Sequence, residues 1–209
     1  MDRQSLIHRQ VLGILGIVLP FACLFFGYID PNTVGLWYGS MSSTYHTNAI
    51  TAFVGVLIAT GIFMITYSGY DWRDKLVNKT AGIMALCIAI FPNSQGGLRA
   101  NEFIGLFSLP GNVSNSIHMI TAIIFFILLA VNILWLFTKG SLKGNKRIRN
   151  IVYLICGWGI IVAIAITGIG IAIQLNDMIV WIMEAIMLIL FGTAWLVKGQ
   201  CIKLLNDEN

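Results

Sequence analysis

The chain has 209 residues, of which 57% are hydrophobic and only 11% charged, with a formal charge of +4. Soluble domains carry about 25% charged residues, so this composition excludes an ordinary water-exposed fold and indicates an integral membrane protein. The four cysteines lie in or just beyond apolar runs and form no CxxC, which argues against a disulfide framework or a thiolate zinc site.

Hydropathy divides the chain, read as a single domain over residues 1–209, into six spans. The first covers residues 10–28, contains Pro20 and follows Arg3 and Arg9. It is long and no A-x-A-like cleavage site follows it, so a retained helix is expected rather than a signal peptide. The second span covers residues 47–67. The third, residues 76–91, is the weakest; it begins among the polar residues DKLVNKT and stops at Pro92. The fourth covers 116–137, the fifth 151–173 and the sixth 178–197. At about 1.5 Å per residue, some 20 residues of helix cross the hydrocarbon of a bilayer.

The basic residues set the orientation. Of 13 Lys and Arg, two precede the first span, three lie between the second and third (Arg73, Lys75, Lys79), five between the fourth and fifth, and two follow the sixth (Lys198, Lys203). The alternate loops hold only Arg99. The positive-inside rule therefore places both termini in the cytoplasm. Basic loops facing anionic lipid headgroups explain the high pI, and no nucleic-acid partner is needed. The fifth span carries Gly157, Gly159, Ala163, Ala165, Gly168 and Gly170, a run suited to close packing inside the bundle or at a seam between two copies of the chain. Trp37, Trp72, Trp158, Trp181 and Trp195 sit at or near span ends, as in an interfacial aromatic belt.

Glu184 stands out in the sixth span, about 9 Å along the helix from its outer end. An ionised carboxylate there costs at least about 2.5 kcal/mol, so it marks either a functional site or a protonated side chain bonded to a neighbouring helix. Asp30, His46, His118 and Asp177 also fall on the outer side. Together they predict a polar pocket opening outward between spans one, two, four and six. The loop before span two, GSMSSTYHT at residues 39–47, contributes Ser42, Tyr45 and His46; if it is helical, Ser42 and His46 share a face. In span four, His118, Thr121, Phe125 and Asn132 share a face, and Asn132 in mid-membrane needs an internal partner.

His46, His118 and Glu184 are the candidate catalytic residues, with Asp30, Ser42, Tyr45, Thr121 and Asn132 as candidate ligand contacts. Two imidazoles and one carboxylate could hold Zn²⁺ with a position left for water, as in a membrane-embedded lipid hydrolase. The alternatives are that His118 and Glu184 hold a proton or a polar lipid headgroup, or that both histidines are plain loop and helix-start residues. Nucleotide-binding loops and a GxSxG elbow are absent from the sequence. A transporter would carry polar residues into the cytoplasmic half, where the sequence offers little beyond Asn132. The Gly-rich outer loop 93–115 reads as an interfacial lid or re-entrant segment, or as a mobile loop dipping into the headgroups.

The layout resembles the Frag1/DRAM/Sfk1 group of six-helix membrane proteins and related bacterial proteins. The shared features are the Ser/Thr-rich loop at 39–47, Asn78, Lys79, Ala81 and Gly82 at the start of span three, His118 opening span four and Glu184 in span six. The resemblance implies a six-helix bundle with cytoplasmic termini; some members are linked to lipid-anchor remodelling, others to organelle membranes. The Ser42–His46 step is also similar to one in membrane-embedded ceramidase-like hydrolases, whose later HxxxH pair this chain lacks. We read the chain as an all-α, six-span, multi-pass protein of a bacterial cytoplasmic membrane whose partners are membrane lipids. Its expected function is binding or processing a lipid at the outer leaflet, against a scaffold subunit or a proton- or ion-coupled transporter.

Overall fold

The computed structural model describes residues 3–28, 39–69, 71–94, 97, 99–142, 144–175 and 178–206. Among the described residues six long helices form one bundle: α1 (Arg3–Tyr28), α2 (Ile50–Thr66), α3 (Trp72–Ile90), α4 (Gly111–Val131), α5 (Lys146–Ala172) and α6 (Met178–Lys198). α1, α4 with the turn after it, α5 and α6 are long and apolar enough to cross a membrane, and α2 is a shorter apolar helix. A 3₁₀ turn (Met41–His46) precedes α2, and a wide π turn (Asn132–Leu136) closes α4.

Four helices start before their apolar runs: α4 at Gly111, and three others among basic residues. α1 begins at Arg3, α3 at Trp72 and α5 at Lys146, so each includes the basic residues that hydropathy leaves outside. Lys, Arg and Gln are good helix formers, and helical hydrogen bonding does not stop where apolarity does. α3 has a cap of its own: the Asp71 carboxylate accepts from the backbone N–H of Arg73 and of Asp74, both at 2.9 Å. The loop between α3 and α4 departs from all-α. It contains a short antiparallel hairpin, β1 (Phe103–Ile104) with β2 (Leu109–Pro110), and its tip exposes Leu106 and Phe107.

α1 packs chiefly on α6, α2 on α3, and α5 on α6. Two of these crossings are glycine on glycine. A Cβ on Gly192 of α6 would fall 2.6 Å from the Gly13 carbonyl of α1, and one on Gly82 of α3 the same distance from the Gly61 carbonyl of α2. The small residues of α5 are divided. Gly157 accommodates Leu134 and Gly159 accommodates Leu190, whereas Gly168 faces open space. Arg9 donates to the Lys198 carbonyl at 3.4 Å, which brings the start of α1 and the end of α6 to the same end of the bundle. The hairpin and the 3₁₀ turn lie at the other end.

The expected aromatic belt needs correction at two positions. Trp195 is fully buried, edge-on to Tyr67 and Phe137, and Trp181 is also buried, whereas Trp72 and Trp158 are exposed. Nearness to a span end decides depth in the membrane; the face of the helix decides whether the ring meets lipid or protein. Trp37 lies outside the described residues.

Candidate functional site

The site grows from the abrupt end of α3. Pro92 disfavours helix at the residue before it and removes an N–H, so the chain leaves the helix with its last carbonyls unmet. Pro92, Asn93 and Ser94 are buried, and an unsatisfied carbonyl in a low-dielectric interior is costly. Side chains from two other elements meet them. His118 Nδ1 of α4 donates to the Phe91 carbonyl at 2.7 Å, Ser114 Oγ to that of Pro92 at 2.7 Å, and His46 Nε2 to that of Asn93 at 2.9 Å. The Ser94 N–H donates to Asn115 Oδ1 at 3.1 Å. Asn93 returns the contact: its Nδ2 donates to Ser42 Oγ at 3.1 Å and to Ser43 Oγ at 3.3 Å.

Asn93 was therefore the organising residue that sequence reasoning missed. Its signal was available: an Asn directly after the proline that ends a helix, with a serine-rich loop elsewhere in the chain. Through it the 3₁₀ turn is fixed, and that turn reaches Glu184. The Met41 N–H, one of the donors a helix start leaves unpaired, donates to Glu184 Oε2 at 2.6 Å.

Glu184 is half-buried and lines two cavities. One, of about 40 Å³, lies among α1, α2, α3, α4, α6 and the 3₁₀ turn, with Ser42, His118 and Glu184 as its polar lining. The other, of about 160 Å³, lies between α4, α5 and α6, with His118, Glu184 and Thr167 as its polar lining. They share His118, Ala122, Phe126 and Glu184. The larger one is otherwise apolar, and its rim residues Met119, Ile123, Gly168 and Ile171 are exposed on the flank of the bundle. It lies alongside α5, a wall the sequence did not anticipate.

The structure brings together Glu184, His118 and Ser42, and ties His46 to the same residues 91–94. It does not assemble the expected zinc site. Among the described residues no three His, Cys, Asp or Glu side chains come together to hold a metal ion, so His46, His118 and Glu184 are not a ligand set. The physical reason is that each imidazole is turned toward a backbone carbonyl, His46 toward Asn93 and His118 toward Phe91. Thr121 is buried and donates to the carbonyls of Ile117 and His118 in its own helix. Tyr45 is half-buried, with its ring 5.6 Å from that of His46. Asp30 and Asp177 lie outside the described residues.

Asn132 has the internal partner it required. Its Nδ2 donates to Asn78 Oδ1 of α3 at 2.7 Å, and Asn78 Nδ2 donates to the Asp74 carbonyl at 2.8 Å. Asp74 and Asn132 stand with Tyr67, Phe137 and Lys198 around a narrow crevice at the end where α1 starts and α6 finishes. The polar content of this half is thus larger than the sequence suggested, because Asp74 and Asn78 sit on the basic, weakly hydrophobic start of α3. At its edge the Asp71 carboxyl is held below the usual carboxylate range, first by the Asp74 N–H and then by Lys139, whose Nζ lies 3.0 Å away. Between the two polar regions lies an apolar layer that includes Leu57, Ala85, Phe125, Leu129 and Phe191.

Comparisons with protein-family models, with curated proteins and with solved structures give no match to this chain.

Proposed function

We propose that the chain is a six-span membrane protein with both termini in the cytoplasm that binds an amphiphile of the outer leaflet. The hydrocarbon chain lies between α4 and α5, and the head rests at Glu184 and His118. One observation carries this reading: a 160 Å³ cavity on the flank of the bundle, apolar throughout except where it meets those two residues and Thr167. Ligand sites are mostly apolar with a few convergent polar groups, and this cavity has that composition. Binding fits the site better than hydrolysis, because both histidines are already engaged with the carbonyls that hold the end of α3.

The test is photo-crosslinking of the full-length protein in vesicles with a long-chain alcohol bearing a diazirine in its tail. Labels should concentrate on residues 119–126 and 164–171, and Gly168→Leu, which fills open space, should remove them. Labelling spread evenly over all lipid-facing helices, and unchanged by that substitution, would overturn the reading. The orientation is tested separately with Cys201, which is exposed beyond α6. A membrane-impermeant maleimide should reach it in inverted vesicles and leave it unlabelled in right-side-out ones.

Proton-coupled transport is a second reading, favoured by the Asp74–Asn78–Asn132 cluster beneath the apolar layer. It requires collapse of an imposed pH gradient in proteoliposomes, lost in both Glu184→Gln and Asn132→Leu.

A further inference from the structure

The two cavities contain an uneven set of hydrogen-bonding groups. Neither is lined by any Lys or Arg. Among the described residues Glu184 accepts one hydrogen bond, from the Met41 N–H, and no cation lies within 4 Å of its carboxylate. A carboxylate offers about four lone-pair directions, so most of its accepting capacity faces the cavities unused. His118 Nδ1 donates to the Phe91 carbonyl, and the Ile88 carbonyl also lies within hydrogen-bond reach of the ring, so the imidazole is engaged with the end of α3. Ser42 Oγ is already occupied by Asn93 Nδ2 and Ser40 Oγ. Thr167 donates to the carbonyl of Ala163. The polar end of the groove thus offers the unused accepting capacity of a carboxylate that has no counter-charge among the described residues, in an apolar surrounding.

Such a site repels a phosphate head, which brings negative charge and further acceptors. It suits a head that brings donors and positive charge, because an ammonium would supply both the missing hydrogen bonds and the missing cation. Resting on the amphiphile reading above, we infer that the ligand is a cationic amphiphile: a hydrocarbon chain ending in a protonated amine that pairs with Glu184 at the inner end of the α4–α5–α6 groove.

The experiment is competition against the same diazirine alcohol on the full-length protein in vesicles of zwitterionic lipid, using dodecylamine, dodecanol and dodecyl phosphate. Dodecylamine should displace the label at concentrations roughly tenfold lower than dodecanol, and dodecyl phosphate should be the weakest of the three. Glu184→Gln should keep the labelling and bring amine and alcohol to within about threefold of each other, since the amide keeps the shape and loses the charge. Equal displacement by all three compounds, or a preference for the phosphate, would overturn the cationic ligand while leaving amphiphile binding intact. Failure of the diazirine alcohol to label the groove at all would defeat the amphiphile reading itself. Crosslinked dimers through residues 164–171, abolished by Gly168→Leu and insensitive to dodecylamine, would mean that a second copy of the chain fills the groove, and the inference would fall.

Discussion

The sharpest expectation concerns two glycines that the sequence cannot tell apart. Gly55 of α2 and Gly82 of α3 both lie within helices, yet an added Cβ meets nothing within 4 Å at Gly55. At Gly82 it meets the Gly61 carbonyl oxygen at 2.6 Å and the Ile65 side chain at 2.7 Å, where ordinary contact starts at 3.4 Å. The obstacle is backbone, which cannot rotate away, so α2 and α3 must separate by roughly 0.8 Å and loosen the contacts along their crossing. Overpacking of this kind costs about 1–3 kcal/mol. Replacing a helical glycine by alanine without a clash is neutral or favourable by at most about 1 kcal/mol. Gly82→Ala should therefore be destabilised relative to Gly55→Ala by about 1–3 kcal/mol, measured by reversible unfolding in mixed detergent micelles. Equal effects of the same sign at the two positions would refute the close α2–α3 crossing and the reasoning built on it.

Further expectations follow from the polar contacts. A double-mutant cycle on Asn78→Ala and Asn132→Ala should give a coupling of about 0.6–1.7 kcal/mol, the range of interhelical hydrogen bonds in membranes, and zero coupling would mean the pair is not formed. Asn93→Ala removes the donor to Ser42 and Ser43, so amide exchange over residues 41–46 should accelerate about fivefold for each bond of about 1 kcal/mol lost; unchanged exchange would show the 3₁₀ turn to be held by something else. Because its carboxyl is depressed in the folded chain, Asp71 contributes stability that is present above the ordinary carboxylate pKa of about 4 and is lost as pH falls through the lower folded value. Asp71→Asn keeps an N-cap and should flatten that part of the pH–stability curve; an unchanged acid limb would assign it to other groups.

The sequence by itself determined the class of molecule. Apolar runs at 10–28, 116–137, 151–173 and 178–197 coincide, to within a residue at their C-terminal ends, with four helices long enough to cross a membrane, because burying backbone in lipid demands helix over that length. The pairing demanded by Asn132 and the inward face carrying His118, Thr121 and Phe125 were legible too, since a polar residue among apolar ones at helical spacing can point only one way. Tertiary structure decided the rest. Helix backbones approach closely at Gly13–Gly192 and Gly61–Gly82, and Gly168 borders open space, although the sequence singled out α5, because whether a glycine matters depends on what crosses it. Asn93 became the hub of the site only because residues 47 and 53 positions before it fold back to meet it. The expected zinc site fails in the same way: two histidines and a glutamate near one end of a bundle are a composition, and the two imidazoles are turned instead toward the carbonyls of Phe91 and Asn93.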